Sequence, residues 1–115
     1  MNYTISKATA MQVIWLIRDI DRLHKLAEEA TPEDLENKPY FRQMRAVDHA
    51  LDIVTKVFRP DIRQKLREAL ILAYQDKANT WEVVDSGVLR GDFGYARRRL
   101  IFEIASELGL VPEEG

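Results

Sequence analysis

The 115-residue chain has no cysteine. Disulfides, thiolate nucleophiles, iron–sulfur clusters and thiolate zinc sites are therefore excluded, and a reducing compartment fits. Histidine is limited to two residues, glycine to five and proline to four, so acid–base chemistry near neutrality has few carriers and long helices have few interruptions. No apolar run approaches the roughly 18 residues that span a bilayer, and no basic n-region with a small-residue cleavage pattern opens the sequence. A cytoplasmic protein with no membrane partner is the expectation. A glycine-rich phosphate loop, a serine-based triad and a nucleotide fingerprint are absent as well, which removes the usual supports for kinase, hydrolase and dehydrogenase readings. No cofactor is expected. Seventeen basic against nineteen acidic side chains leave a net charge of −2, so any nucleic-acid site has to be local, without help from bulk attraction.

Hydrophobic residues at 46% and charged residues at 31% match ordinary globular usage, and the length suits a single domain over 1–115. From Ser6 to Ala30 there is no glycine or proline, and apolar side chains recur at Val13, Leu16, Ile17, Ile20, Leu23 and Ala27. That three-and-four spacing predicts one long helix. Thr31-Pro32-Glu33-Asp34 reads as a capped start of a short helix that Pro39 interrupts. A second long helix is predicted over Pro39 to Phe58, with Tyr40, Met44, Val47, Leu51, Val54 and Phe58 on one side and Arg42, Arg45, Asp52 and Lys56 opposite. A third starts at Pro60 and carries Ile62, Leu66, Ala69, Leu70, Ala73 and Tyr74 in register. Trp81 and Val84 either continue it to Gly87 or belong to a separate short helix opened by an Asn79/Glu82 capping box. Val88 to Gly91 reads as a loop, Asp92 as the cap of a last helix over Phe93 to Leu108, and Gly109 as its left-handed stop. With no alternating segment or hairpin signal, the expected class is all-α: a compact bundle of four principal helices plus one or two short helical segments.

Two helices carry more apolar surface than one core face uses. At about 100° per residue, Val13, Leu16, Ile17 and Ile20 point one way while Met11, Ile14 and Trp15 point back. Ile71 and Leu72 likewise fall outside the stripe set by Ile62, Leu66 and Ala73. In a domain of this size a helix is hard to surround with its own chain. The expectation is a protein interface at Met11, Ile14, Trp15, Ile71 and Leu72, closed by a second copy and most simply a dimer, or by another protein. Burial worth about 1.5–3 kcal/mol for each large side chain makes this energetically reasonable once association costs are subtracted. The competing reading has the Thr31 to Asn37 segment and the Val88 loop lie over these residues within one protomer.

Polar constellations are few. His24 falls beside the apolar face and is expected to be a hydrogen-bonded, half-buried histidine, whereas His49 falls on the polar face near Arg45 and Asp52. Asp21-x-x-His24 places a carboxylate and an imidazole one turn apart, but bundle metal sites need further inward carboxylates, so no metal is expected. Arg18-Asp19 followed by His24 resembles the arginine, polar residue, histidine spacing of HEPN-type ribonucleases over seven residues, although on the first helix rather than a late one. The resemblance implies a helical dimer acting on RNA, with Arg18 holding the scissile phosphate and His24 serving as acid, base or second phosphate contact.

The other candidate surface is Arg90-Gly91-Asp92-Phe93-Gly94-Tyr95-Ala96-Arg97-Arg98-Arg99. Tyr95, Arg98, Arg99 and Phe102 share one helical side, an arrangement suited to phosphates and unpaired bases, or to a protein interface rich in Tyr, Phe and Arg. Arg97 falls on the apolar side, where it is expected to meet a buried acid or carbonyl or to lie along the core edge. The leading expectation is a non-enzymatic helical interaction module of regulatory or adaptor type. Nucleic-acid binding through the last helix and a HEPN-like ribonuclease are the alternatives.

Overall fold

Side-chain caps and prolines set most of the helix starts. A computed structural model describes residues 5–75 and 87–111. Ser6 Oγ accepts the Thr9 amide at 3.2 Å and opens α1, Lys7–Arg18. Thr31 Oγ1 accepts the Asp34 amide at 3.1 Å and opens the short α3, Pro32–Asn37. Pro39 and Pro60 stand at the first positions of α4, Pro39–Thr55, and α5, Pro60–Gln75, where a missing N–H costs no hydrogen bond. Between α1 and α3 lies α2, Ile20–Glu29, and the last helix is α6, Arg90–Glu107. Six helices and no strand make up the described residues, and none of these helices is long and apolar enough to cross a membrane.

Three expectations change. The helix predicted from Ser6 to Ala30 bends at Asp19, whose φ of −93° and ψ of 0° split it into α1 and α2. The hydrogen-bond ladder continues through the bend, from the Asp19 amide to Trp15 O and from the Leu23 amide to Asp19 O, each at 3.1 Å. Apolar spacing is unbroken there, so the pattern gives no sign of the bend. Asp92 is not the cap of the last helix: α6 begins two residues before it, after Leu89, and Asp92 sits in the first turn, where a carboxylate still favours the positive end of the helix dipole. Finally, Phe41 rather than Tyr40 fills the core end of α4. Tyr40 is exposed and its ring leans on that of Phe41, with centroids 4.6 Å apart. The continuation through Asn79, Trp81, Glu82 and Val84 lies outside the described residues.

Helix α4 is the axis of the fold, in contact with each of the other five described helices. It is buried on more than one flank: Phe41, Met44, Val47, Leu51 and Val54 form its main apolar row, with Ala46 and Ala50 beside them. The alanines keep the side wall thin enough for neighbouring helices to approach. One core cluster joins these residues to Val13 and Ile17 of α1, Ile20 and Leu23 of α2, Leu66 and Leu70 of α5, and Phe93, Leu100 and Ile104 of α6.

The end of α6 is closed by the turn its sequence implies. Gly109 adopts φ +73°, the Gly109 amide bonds Ser106 O at 3.1 Å and the Leu110 amide bonds Ala105 O at 2.8 Å. This is the paired bonding of a Schellman motif. Because Leu51 is fully buried on the central helix, Leu51→Ala should lower unfolding free energy by about 2–5 kcal/mol. Urea titration of that variant, beside an exposed-site control at Lys56, measures the difference.

Candidate functional site

The expected interface residues divide into two groups. Trp15 is 61% exposed, Met11 41% and Leu72 39%, whereas Ile14 and Ile71 are half-buried against the core. Helices α1 and α5 are neighbours, so the two sets lie on adjoining elements. The α3 segment packs on α4 and leaves Trp15 open, and Val88 is itself buried in the core. Leu26 on α2, 40% exposed, extends the outward row that Met11 and Trp15 begin. A single core stripe with a short second face near the N-terminus does not include it. Counting the outward positions on through the Asp19 bend finds it: Met11, Trp15, Arg18, Arg22 and Leu26 recur at intervals of three or four.

Arg18 fixes the middle of this row. Its Nε donates to Tyr74 O at 2.8 Å, and its guanidinium stands over the Trp15 ring at 5.2 Å from the centroid. The bond ties α1 to α5 at the far end of the described part of that helix. One turn on, Arg22 pairs with Asp19, Nε to Oδ1 at 2.7 Å. That hydrogen bond holds the Asp19 carboxyl below its ordinary range, against a smaller desolvation effect in the other direction.

Tyr74 is the hinge between α1, α5 and α6. Beside the Arg18 contact to its carbonyl, its hydroxyl donates to Arg97 O at 3.2 Å and its ring lies 4.9 Å from the Arg97 guanidinium carbon. The apolar-side arginine thus meets an aromatic face, and its Nε is buried without a hydrogen-bond partner. Burial raises the Tyr74 phenol above its usual value, an effect that Arg97 partly offsets.

His24 is half-buried and hydrogen-bonded, as its position beside the apolar face implies. Its Nε2 lies 3.0 and 2.8 Å from the two carboxylate oxygens of Asp48 on α4. Arg67 of α5 reaches Asp48 at 3.2 Å and Asp52 at 2.6 Å, so one polar chain ties α2, α4 and α5. His49 pairs with Glu107 of α6 at 2.9 Å. Asp21 accepts from Gln75 Nε2 at 3.1 Å rather than joining His24, and no cluster among the described residues suits a metal ion. The Arg18 and His24 of the HEPN-like spacing are drawn to separate partners, Tyr74 and Asp48. Six helical residues apart, they point about 120° from each other.

On α6, Tyr95 is 45% exposed and Arg98 is exposed, while Arg99 and Phe102 are half-buried. Arg99 Nε stands 3.6 Å from Glu103 Oε1, an ion-pair distance too long for a hydrogen bond. The four residues do share a side, but the structure narrows its open cationic part to Arg98.

No protein-family model, curated protein or solved structure matches this chain.

The raised Tyr74 ionisation has a consequence in alkali. The folded state keeps the phenol protonated where the unfolded chain, with a value near 10.0, has begun to lose it. That contribution to stability is complete below pH 10 and declines as pH climbs towards the folded-state value. Tyr74→Phe should therefore cost about 0.5–1.5 kcal/mol at neutral pH through the lost hydroxyl bond and flatten the alkaline decline. Urea midpoints from pH 8 to 11 for both proteins report it.

Proposed function

We propose that this chain is a non-enzymatic, cytoplasmic interaction module of regulatory or adaptor type that works as a homodimer through the outward row of α1 and α2. The observation that carries this reading is Trp15: a large aromatic side chain left 61% exposed on a helix whose opposite side is already fully used in the core. Tryptophan, methionine and arginine on one strip are the residue types that interface centres favour.

The order of residues along the row favours a second copy as the occupant. A two-fold interface is self-complementary, so that residue i meets residue j and j meets i. Antiparallel self-pairing centred between Arg18 and Asp19 places Met11 opposite the other copy's Leu26, since both are equally far from the midpoint. It places Trp15 opposite Arg22 in the same way. Apolar residues then meet apolar residues at both ends, and each ring meets a cation inside them. A helix of twelve residues is about 18 Å long, and its strip alone falls short of the roughly 800 Å² per partner that stable interfaces use. The contact therefore has to continue along α2, with Leu72 of α5 on its flank.

Trp15→Glu should convert a dimer to a monomer without loss of helicity, as read by sedimentation equilibrium and circular dichroism. A well-folded variant with the mass of the parent overturns the reading. Since the chain has no cysteine of its own, register is testable as well. A mixture of Met11→Cys and Leu26→Cys proteins should oxidise to the mixed disulfide in preference to either homodimer.

A second reading, nucleic-acid binding through Tyr95, Arg98, Arg99 and Phe102, draws support from the exposed Arg98, which makes no hydrogen bond or ion pair among the described residues. It predicts binding to single-stranded RNA that weakens steeply with salt. Arg98→Glu combined with Arg99→Glu should abolish that binding in a gel-shift titration; salt-insensitive retention by the double variant removes the reading.

A further inference from the structure

A groove of about 300 Å³ lies where α1, the first turns of α4 and the turn after α6 converge. Leu16, Leu108 and Leu110 give it an apolar floor, and Gln12, Arg42 and Gln43 stand around it. The polar side chains are the informative part. Several arginines in the described residues are committed within the chain: Arg18 to Tyr74, Arg22 to Asp19, Arg63 to the carbonyls of Lys56 and Phe58, and Arg67 to Asp48 and Asp52. Among the described residues Arg42, like Arg98, has no such partner, and neither carboxamide beside it is hydrogen-bonded to them. Glu107 on α6 is paired with His49 at 2.9 Å.

A concave site with an apolar floor and one unspent cation is complementary to an anion that carries an apolar tail. The planar fork of a guanidinium matches a carboxylate with two parallel N–H···O bonds, and the two carboxamides supply further donors at the same rim. We propose that this groove binds a small aliphatic monocarboxylate. Its head group is held by Arg42 with Gln43 and Gln12, and its chain lies over Leu16, Leu108 and Leu110. The volume is at the lower end of the range for small-molecule sites, which favours a tail of about eight carbons over a long-chain acid. The site uses neither Trp15 nor Met11 and stands or falls separately from the dimer.

The test is a titration of the ¹⁵N-labelled full chain with octanoate, and with octanamide as the uncharged control. Octanoate should shift the amide signals of Leu16, Arg42, Gln43, Leu108 and Leu110, and octanamide should bind about tenfold or more weakly, the loss expected of one charge-assisted pair. Arg42→Gln should weaken octanoate by a similar factor. Gln43→Glu, which places a carboxylate beside Arg42, should weaken it independently. Arg42 and Gln43 are outside the core, so both variants should keep the parent melting curve. Absence of shifts at millimolar octanoate, shifts centred instead on Trp15 and Met11, or equal binding by the parent and both variants would each overturn the proposal.

Discussion

The constraint on which the remaining structure depends is that α4 has to touch five helices at once. A helix in that position needs apolar or small side chains around most of its circumference, and its sequence supplies them: a row of large residues from Phe41 to Val54 with Ala46 and Ala50 beside it. The large residues join the common core, and the alanines admit neighbours at close range. The exposed edge of α4 is thereby reduced to a strip carrying Arg42, Arg45, His49 and Asp52. Three of these four are tied to other elements, Arg45 to the Leu35 carbonyl, His49 to Glu107 and Asp52 to Arg67. Arg42, at the strip's N-terminal end, is the one left over.

Three arginines, Arg18, Arg45 and Arg63, bond backbone carbonyls of neighbouring elements. Arg18 takes the Tyr74 carbonyl of α5, Arg63 takes those of Lys56 and Phe58 at and just past the end of α4, and Arg45 takes that of Leu35 in α3. The final carbonyls of a helix have no intrahelical donor and carry the negative end of its dipole, so a long, rigidly forked cation satisfies both needs together. The arginines are divided among several helices, and of the four on α6 Arg97 turns to the Tyr74 ring and Arg99 faces Glu103. That distribution, with a net charge of −2, is why nucleic-acid binding rests on so few groups.

Boundaries set by covalent chemistry were legible in the sequence. Pro39 and Pro60 start helices because proline fits only the first turn, and Gly109 ends one because its backbone adopts φ +73°. The row from Met44 to Val54 was legible because helical period and burial agree there. Features that depend on tertiary partners were not. The bend at Asp19 leaves the apolar period intact, and the start of α6 at Arg90 passes over the better capping residue, Asp92. The site divides in the same way. An outward Trp15 follows from counting positions on one helix, as does a half-buried, hydrogen-bonded His24. That the partner of His24 is Asp48, twenty-four residues on, and that Arg67 joins them, depends on how α2 and α5 lie against α4.

The Arg18 contact links core and surface. A tryptophan on an open helix face normally samples several rotamers, and fixing it on association costs part of the free energy that its burial releases. Here the guanidinium over the ring is itself held by the Tyr74 carbonyl, and Tyr74 is held by Arg97. Trp15 is therefore ordered by a chain of contacts that starts inside the bundle, before any partner arrives. On the proposed dimer, the ring would enter the interface with much of its ordering cost already met. The same contacts restrict where that interface can sit, because shifting α1 along α5 would break the Arg18 bond and free the ring. The outward row is thus an extension of the core's geometry, and its register is set by α5 as much as by α1 itself.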